Sequence, residues 1–423
     1  MNTLRSQSVL FSILFAIATA FVLQCFSEYI PDSALGVFFP CIEFVGSGFL
    51  RLLTVLVIPL VCSSIISSIA KLGSELDLGK MGAKTALFYF GTTIVALIIG
   101  MSLVNLLKPG VGYDLHGMEH AALQKGLEKE FTVQYFLENL LPKNLFLALA
   151  EGKMLPLILF SVVTGAALTK LDNAHKTPLI SFFDAIFHLM LQLSSMLLKA
   201  LPLGVYCLSV NAFSTLGKAS LTPLLLFSLT VLLGLGIFMF LFLPIILRFY
   251  AKMDPIAYMK AMSPALFTAF TTSSSSASIP ITIECIEKKV GVSKKIARLI
   301  VPLGISINLS GSALYECVAA VFVAQAYGVD LSIGTQFIVV FLALFTSMGV
   351  AGIPAGSLVA TIIIMQFLGL PPEGIGLFIA VERFMDMART TANIYGDGAC
   401  AVLVAASEGE TAFLEKTTKP QFS

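Results

Sequence analysis

The chain has 423 residues, of which 57% are hydrophobic and only 12% are charged, and its formal net charge is +1. Soluble domains carry about 25% charged residues, so this composition excludes an ordinary soluble protein, and the near-zero charge excludes a basic nucleic-acid-binding surface. Apolar stretches of about 18 residues or more recur throughout, which predicts a multi-pass α-helical membrane protein.

Six apolar stretches in the first part of the chain predict membrane helices. The first, at 8–26, has the look of a signal peptide, but it is long enough to span and lacks a small-residue cleavage site, which favours a retained helix. A polar segment at 108–130 predicts a solvent-exposed loop. Pro and Gly residues in the fourth stretch predict a kinked or segmented helix. The second to sixth stretches lie at 45–72, 82–107, 131–171, 179–212 and 221–250.

Basic residues indicate how these helices are oriented. They cluster after the second, fourth and sixth stretches, whereas residues 27–44 contain no Lys or Arg. Because positively charged loops remain on the cytoplasmic side, the N-terminus is expected to be cytoplasmic. The chain has no Trp, so Tyr and Phe must form any interfacial belt.

The second half of the chain alternates two pairs of short apolar segments with two longer apolar stretches that polar residues interrupt. The pairs lie at 255–288, which includes the hydroxyl run TTSSSSASIPIT, and at 331–369, which turns at SMGVAGIPAGS. The longer stretches lie at 293–327, with a break at NLSGS, and at 372–410. Duplicated breaks at corresponding places indicate a transporter site at a repeat interface, because the freed backbone groups need protein, ligand, ion or water as partners.

The last stretch carries polar residues on one helical stripe, with Glu382 one turn before the first of them. Their spacing places them on one face of a helix. Charged residues at mid-bilayer depth cost about 2.5–3.5 kcal/mol each, so the stripe must face protein or water. Its members are Asp386, Arg389, Thr390, Asn393 and Asp397.

These residue types suit particular ligands. Arg389 matches a carboxylate and Asp386 matches an ammonium group, so an acidic α-amino acid would satisfy the stripe, and a purely structural ion pair is the alternative. Asp397 has no cationic partner in its own helix, which indicates a bound cation or a proton. The hydroxyl run at 271–278 either allows close helix packing or forms a hairpin tip that meets an anion. Glu316 is either a satisfied polar residue or a proton carrier.

Two other functional classes fit the sequence less well. An anion channel would also line its path with polar residues, and a steep dependence of uptake on an opposing ion gradient distinguishes a transporter from it. A serine protease could use Ser312, but all four histidines precede residue 189, which leaves no nearby base. No enzyme activity is therefore expected.

The motifs SSSSASIP, NLSGSALYE, GVAGIP and DMARTTANIYGD resemble those of the dicarboxylate/amino acid:cation symporters, also called the glutamate transporter family, over essentially the whole chain. The resemblance implies an all-α polytopic membrane protein with eight transmembrane helices, two re-entrant helical hairpins and inverted repeats. It further implies a homotrimer in the lipid of the inner (plasma) membrane, with both termini cytoplasmic, no nucleic-acid partner and an elevator-type alternating-access motion.

The implied architecture has a fixed trimerisation scaffold and a moving transport domain. The scaffold comprises residues 1–72 and 131–212. The transport domain comprises helices at 82–107, 221–250, 293–327 and 372–410 and hairpins at 255–288 and 331–369.

The resemblance also implies how substrate is bound. Asp386 would bind the substrate amino group and Arg389 its side-chain carboxylate. This pairing implies aspartate or glutamate, and a proton-coupled C4-dicarboxylate or neutral amino acid symporter is the alternative. The remaining contacts would come from Ser273 and Ser275 of the first hairpin, from Ser312, Thr390 and Asn393, and from Ile353 in the gate at 352–354.

Sodium ions, protons or both are the implied coupling ions, with no other cofactor. Sodium-coupled members usually have Asp where this chain has Ser310, and loss of that carboxylate should weaken one of two sodium sites strongly. That site would use Tyr89, Thr92 and Thr93. The site that retains its acid would use Gly304, Asn308, Asn393 and Asp397, and Ser306 and Ser347 are further candidates.

Two more positions depart from the sodium-coupled pattern or extend it. Val350 stands in the second hairpin where a Thr is common. Glu316 falls where acid-transporting eukaryotic members place their proton carrier. Proton coupling, alone or mixed with sodium, is therefore the alternative to sodium coupling.

Overall fold

The structure is a computed structural model, and it describes residues 32–75, 80–112, 143–151, 153–200, 221–349 and 356–410 together with a few isolated positions. Within these residues all regular secondary structure is helical, which confirms the expected all-α class. Most of the expected first span at 8–26 and most of the loop at 108–130 lie outside them, as do Val350 and the hairpin turn at 352–354 with Ile353.

The described residues before 200 form five α-helices. The second apolar stretch was expected at 45–72, but its helix begins earlier, at Asp32, and runs through Pro40 and Pro59. Each proline removes one backbone hydrogen bond. Packing of this helix against two later helices, Met154–Thr169 and Asn173–Leu197, compensates for the loss. The helices are α1 (Asp32–Glu75), α2 (Lys80–Leu107), α3 (Leu145–Ala150), α4 (Met154–Thr169) and α5 (Asn173–Leu197).

The later helices carry the polar motifs. A π-helical segment, Phe238–Phe242, joins α6 to α7 without a break, and a second one, Cys285–Val290, follows α9. The helices are α6 (Leu221–Ile237), α7 (Leu243–Phe249), α8 (Pro255–Thr272), α9 (Ser275–Glu284), α10 (Lys294–Ile307), α11 (Ser310–Ala326), α12 (Ile333–Gly349), α13 (Gly356–Phe367) and α14 (Ile379–Ser407).

By length and composition, three helical stretches in the described part of the chain can cross a membrane. They are Ala83–Leu107, Thr222–Phe249 and Lys294–Ala326. The last of these contains both α10 and α11. The described helices of the two short pairs are shorter, and at about 1.5 Å rise per residue α9 and α13 fall well below the roughly 30 Å of a bilayer core.

The short pairs form two helical hairpins. In the first, α8 packs against α9, and the chain reverses between them in two residues. Ser273 adopts a left-handed conformation with φ 48°, and the Ser274 side chain caps α9 by accepting a hydrogen bond from the Ala277 N–H. In the second, α12 packs against α13. The hydroxyl run therefore lies at a hairpin tip, as one of its two interpretations predicted.

The expected break at NLSGS is confirmed. Helix α10 ends at Ile307 and α11 begins at Ser310, and the backbone of Asn308 and Leu309 between them is not helical. This break leaves the first N–H groups of α11 without partners in their own helix. Residues 310–324 are all buried, so α11 runs through the middle of the packed helices.

The prediction of a corresponding helix break within 372–410 is wrong. After a short 3-10 turn at Pro372–Leu377, α14 continues without interruption through the whole polar stripe. Polar side chains interrupt an apolar sequence without interrupting a helix when they find partners of their own, because the backbone bonds are made within the helix. The broken and the continuous helix, α11 and α14, pack directly on each other.

Candidate functional site

Asn393 joins the polar stripe of α14 to the broken helix. Its Oδ1 atom accepts hydrogen bonds from the backbone N–H groups of Gly311, at 2.8 Å, and Ser312, at 3.3 Å. Its Nδ2 atom donates to the Ser312 hydroxyl at 3.0 Å. The Asn393 side chain of α14 therefore accepts hydrogen bonds from the N–H groups that the break exposes at the start of α11. Thr390 is buried beside it on the same helix.

Arg389 is a deeply enclosed charge of the stripe, with 2% of the residue exposed. Its Nη2 atom donates to Glu382 Oε1 and to Asp386 Oδ1, both at 2.8 Å. The guanidinium carbon lies 4.6 Å from the ring centroid of Tyr315, and the Tyr315 hydroxyl donates to Glu382 Oε2. The ion pair between Asp386 and Arg389, which the structural alternative predicted, is present. Because the ring and both carboxylates restrain it, this guanidinium has a fixed plane.

One edge of that guanidinium can still donate a hydrogen bond. The Nη1 atom of Arg389 is buried and makes no hydrogen bond among the described residues. A buried donor without a partner costs about 1–3 kcal/mol, so its retention favours a ligand that accepts from it. A carboxylate is the acceptor that matches a guanidinium best.

Asp386 is also paired on its second oxygen. Its Oδ2 atom lies 3.5 Å from Nη1 of Arg383, three residues earlier on α14. The Asp386 side chain is 14% exposed and that of Arg383 is 23% exposed, so the stripe runs from the enclosed Arg389 to a more open edge. Sequence analysis identified Asp386 and Arg389 but missed Tyr315, Arg383 and the partner role of Glu382.

A second polar cluster surrounds Asn308 at the break. Its Nδ2 atom donates to Asp397 Oδ1 at 3.1 Å. Its Oδ1 atom lies 3.0 to 3.3 Å from three hydroxyl groups, which belong to Thr92, Thr93 and Ser310. Four of the residues expected near cations are therefore brought together with Ser310. Cys400, which sequence analysis did not select, borders the same cluster at 3.6 Å from Asn308 Nδ2.

Asp397 is the least satisfied acid of this cluster. It is fully buried, and its Oδ2 atom makes no hydrogen bond among the described residues. A Cβ atom built on Gly304 would lie 2.7 Å from Asp397 Oδ1, so the carboxylate rests directly against the backbone of α10. An ionised carboxylate buried in this way needs a proton or a cation, because isolated burial is very costly.

Other expected cation ligands have different partners. The Tyr89 hydroxyl donates to the Ile300 carbonyl at 2.6 Å, and the Ser347 hydroxyl donates to the Leu344 carbonyl at 3.1 Å. Among the bonds of the described residues, neither hydroxyl is joined to Asn308. Ser306 lies on α10, and its side chain is outside the described residues.

Glu316 is fully buried on α11 and faces the second hairpin. Its Oε2 atom lies 3.0 Å from the hydroxyl of Thr346 on α12, and that hydroxyl also lies 2.9 Å from the Leu342 carbonyl. Its Oε1 atom makes no hydrogen bond among the described residues. A threonine hydroxyl has one hydrogen, so both contacts are satisfied together when Thr346 donates to Leu342 and a neutral Glu316 donates to Thr346.

The tip of the first hairpin offers donors. The Ser273 hydroxyl is buried and makes no hydrogen bond within the described part of the chain, and its left-handed backbone is unusual for a residue with a side chain. Ser275 is the first residue of α9, where N–H groups have no partner within the helix. Helix α9 packs on α14, the helix that carries the stripe.

Known proteins are similar to this sequence along most of its length. Residues 7–407 match the family model described as the sodium:dicarboxylate symporter family. The chain is similar to the proton/glutamate-aspartate symporter of Escherichia coli (strain K12), with 34% identity covering 94% of this chain and 92% of that protein. It is also similar to the proton/sodium-glutamate symport protein of Bacillus caldotenax, with 32% identity over 86% of this chain and 87% of that protein. A third relative is the C4-dicarboxylate transport protein of Bacillus subtilis (strain 168), with 31% identity over 86% of this chain and 87% of that protein.

Proposed function

The chain belongs to the sodium:dicarboxylate symporter family, and on that premise we propose that it is a secondary active symporter for an acidic amino acid, aspartate or glutamate. The observation that carries this proposal is the pairing of Arg389 and Asp386 on one stripe, with a guanidinium donor that has no partner in the described ranges. The names of the first two relatives support the same substrate class.

In this proposal the stripe binds the two ends of the substrate. Arg389 donates hydrogen bonds from Nη1 to the side-chain carboxylate, while Glu382 and Tyr315 hold the guanidinium plane. Asp386 binds the ammonium group. The α-carboxylate is bound by hydroxyl, amide and N–H groups from four elements. They are α14 with Thr390 and Asn393, α11 with Ser312, the first hairpin tip with Ser273 and Ser275, and the second hairpin tip with Ile353.

Sodium is the first candidate coupling ion. The cluster of Asn308 and Asp397 against Gly304 supplies one carboxylate and a carbonyl-rich break, and oxygen atoms are the ligands that hard cations prefer. Asn393 provides a further oxygen in the same region. The neighbouring Thr93 hydroxyl meets Ser310 rather than a second carboxylate, the Thr92 hydroxyl donates to Asn308, and Tyr89 bonds elsewhere, so we assign that second site a weak affinity.

The proton is the second candidate coupling ion, carried by Glu316. The hydroxyl geometry at Thr346 suits a neutral carboxyl group, and the contact connects α11 to the second hairpin. Loss or gain of a proton would therefore change a bond between two elements of the proposed moving part.

The proposed architecture has eight membrane helices, two re-entrant hairpins, a scaffold that includes α1, α4 and α5, and a transport domain built on α11 and α14. The scaffold would form a homotrimer in the inner membrane, with cytoplasmic termini. An elevator motion slides one group of helices along the other. The hydroxyl of Ser64 on α1 donates to the Met348 carbonyl at the end of α12, which supports a sliding contact between scaffold and second hairpin. Ser276 and Ala277 at the tip of the first hairpin are exposed.

The test is uptake of labelled aspartate and glutamate into proteoliposomes, with sodium and proton gradients imposed separately. Uptake against a concentration gradient, driven by either ion, supports the proposal and identifies the coupling ion. Current without concentrative uptake would indicate an anion channel instead. Stronger competition by succinate than by aspartate would favour C4-dicarboxylate transport, which the third relative makes the second candidate.

Gly304→Ala is expected to weaken activation of uptake by sodium. The added Cβ atom would lie 2.7 Å from Asp397 Oδ1 and 2.9 Å from Cγ, so the carboxylate must move. We expect the sodium concentration for half-maximal uptake to rise about tenfold, equivalent to about 1.4 kcal/mol. Gly91→Ala is the matched control, because nothing lies within 4 Å of its Cβ position on α2. Equal sodium activation in both variants would contradict the placement of the cation at Asp397.

Glu316→Gln is expected to remove proton-driven uptake and to retain exchange of labelled for unlabelled substrate. Glutamine keeps the shape and can still bond Thr346, but it carries no exchangeable charge. Uptake driven by an imposed proton gradient should fall about tenfold or more, equivalent to at least about 1.4 kcal/mol. Glu373→Gln is the control, since Glu373 is exposed on the turn before α14. Proton-driven uptake at the wild-type rate in Glu316→Gln would exclude this carrier.

A further inference from the structure

The contact between Glu316 and Thr346 joins a buried acid to the second hairpin. Both residues are 0% exposed, and they lie on helices that pack on each other, α11 and α12. The Thr346 hydroxyl lies 3.0 Å from Glu316 Oε2 and 2.9 Å from the Leu342 carbonyl of its own helix. Because a hydroxyl group rotates about its C–O bond, its one hydrogen can point to either acceptor at these distances.

The two directions of this hydroxyl correspond to the two protonation states of Glu316. When the carboxyl is neutral, it donates to Thr346, and Thr346 donates to the Leu342 carbonyl. When the proton has left for water, the carboxylate can only accept, so Thr346 turns its hydrogen from Leu342 to Glu316. Thr346 keeps its own hydrogen in both states, and the Leu342 carbonyl remains part of the backbone ladder of α12.

The charged groups that face Glu316 are paired with each other. Arg389 and Glu382 on α14 act on its charge in opposite directions, and they form an ion pair at 2.8 Å. The Tyr315 hydroxyl on α11 itself donates to Glu382. Helices α6, α12 and α13 pack against α11 and contain no titratable side chain, although the buried Ser357 hydroxyl of α13 acts on the same carboxyl. An ionised Glu316 therefore depends on hydroxyl groups for its stabilisation.

Titratable groups on α2 and on the turn before α14 have other partners or are exposed. Lys84 pairs with Glu408 at 2.7 Å, and the Tyr89 hydroxyl donates to a carbonyl of α10. Glu373 is exposed on the turn. Among the described residues, the hydroxyl of Thr346 is therefore the donor best placed to meet the carboxylate.

We propose that Thr346 is the positioning residue that allows Glu316 to release its proton, by turning its hydroxyl hydrogen onto the carboxylate. This inference rests on the proposed proton-coupled symport. A buried carboxyl without a donor retains its proton, because its ionised form is costly in apolar surroundings. A hydrogen bond to the ionised form lowers that cost. Thr346 therefore acts in the step in which the proton leaves, and not in the movement of the loaded carrier.

Thr346→Val separates these two steps, because valine keeps the shape of threonine and removes the hydroxyl group. Labelled aspartate uptake driven by an inward proton gradient requires proton release inside the proteoliposome. Exchange with internal unlabelled aspartate does not, since the carrier returns loaded and protonated. We expect net uptake to fall about tenfold or more, equivalent to at least about 1.4 kcal/mol, and exchange to persist. Thr346→Ser retains the hydroxyl group and should restore net uptake.

The internal pH provides a readout that a purely structural defect would not move. A proton held about tenfold more tightly is released equally well at an internal pH about one unit higher. With the external pH fixed, the net uptake of Thr346→Val relative to that of the unsubstituted protein should therefore rise towards one as the internal pH increases. A structural defect would keep this ratio constant.

Thr361→Val is the control, because Thr361 is a buried threonine of the same hairpin whose hydroxyl donates to a carbonyl of its own helix. It should retain net uptake and its dependence on internal pH. Thermal unfolding in detergent checks that each variant is folded. Thr346→Ala also removes the hydroxyl group and must give the same pattern as Thr346→Val, which keeps the test open if valine does not fit.

Two results would overturn the inference. One is unchanged net uptake in folded Thr346→Val, and the other is an equal loss of net uptake and exchange at every internal pH. Uptake by the unsubstituted protein that sodium drives without any effect of a proton gradient would also overturn it, while leaving acidic amino acid symport standing. Failure of the proposed function itself is distinguishable, because the unsubstituted protein would then show neither uptake nor exchange of aspartate.

Discussion

Arg389→Cys is expected to abolish uptake of aspartate and glutamate while leaving uptake of small neutral amino acids possible. The guanidinium supplies the charge-assisted bonds to the second carboxylate, each worth about 1.5–3 kcal/mol. Loss of two such bonds lowers affinity for an acidic substrate by at least about a hundredfold, equivalent to about 2.7 kcal/mol. A neutral substrate needs no partner there, and the space left by Arg389 accommodates its side chain. Uptake of labelled aspartate, glutamate and serine into proteoliposomes measures this change.

The variant leaves Glu382 and Asp386 without their shared partner, and Glu382 is buried. Removal of one member of a buried ion pair costs about 3–5 kcal/mol, so reduced stability alone could lower uptake. The double variant Arg389→Cys with Glu382→Gln removes one of these carboxylate charges and should recover stability without recovering aspartate uptake. Arg298→Cys is the matched control at an exposed arginine. Glutamate uptake at the wild-type level in Arg389→Cys would overturn the substrate assignment.

The binding stripe was predictable because it depends on one helix. Helical periodicity alone places Asp386, Arg389 and Asn393 on one face, and the structure keeps α14 continuous through them. The break at NLSGS was also predictable, since its residues favour local hydrogen bonding over helix continuation. The four motifs predicted the family, and the match over residues 7–407 confirms it.

What the sequence did not predict depends on contacts between distant residues. Tyr315 reaches Glu382 across 67 positions, and Thr92 reaches Asn308 across 216. Periodicity within one helix carries no information about such pairs. The second break was wrongly predicted for the same reason, because Asn393 satisfies the N–H groups of α11 instead of leaving its own helix. A polar residue in an apolar stretch can equally mark a break or the partner of a break elsewhere.

Asp397→Asn is expected to remove sodium-driven uptake and sodium-dependent stabilisation together. The substitution keeps the size of the side chain and an oxygen that can accept from Asn308 Nδ2. It removes the only carboxylate among the residues bonded to Asn308, and with it the charge that compensates a bound cation. Sodium-driven uptake should fall about tenfold or more, equivalent to at least about 1.4 kcal/mol.

Stability should change in the opposite direction from function. A ligand at a hundredfold excess over its Kd stabilises the folded state by about 2.7 kcal/mol, so the unsubstituted protein should unfold at a higher temperature in sodium than in choline. Asp397 Oδ2 is buried and has no partner among the residues that the structure describes, and neutralising it removes a desolvation cost. Asp397→Asn should therefore be at least as stable as the unsubstituted protein in choline and should gain nothing from sodium.

The control for this experiment is Asp254→Asn. Asp254 caps α8 at an exposed position by accepting from the Ile256 N–H, and asparagine caps a helix equally well. That variant should retain the full sodium effect on unfolding temperature and on uptake. Loss of stability in Asp397→Asn under both conditions would mean that Asp397 serves the packing of α10 against α14 rather than a cation. A sodium effect that survives the substitution would move the cation away from Asp397, and a stabilisation by acid in place of sodium would assign the carboxylate to a proton.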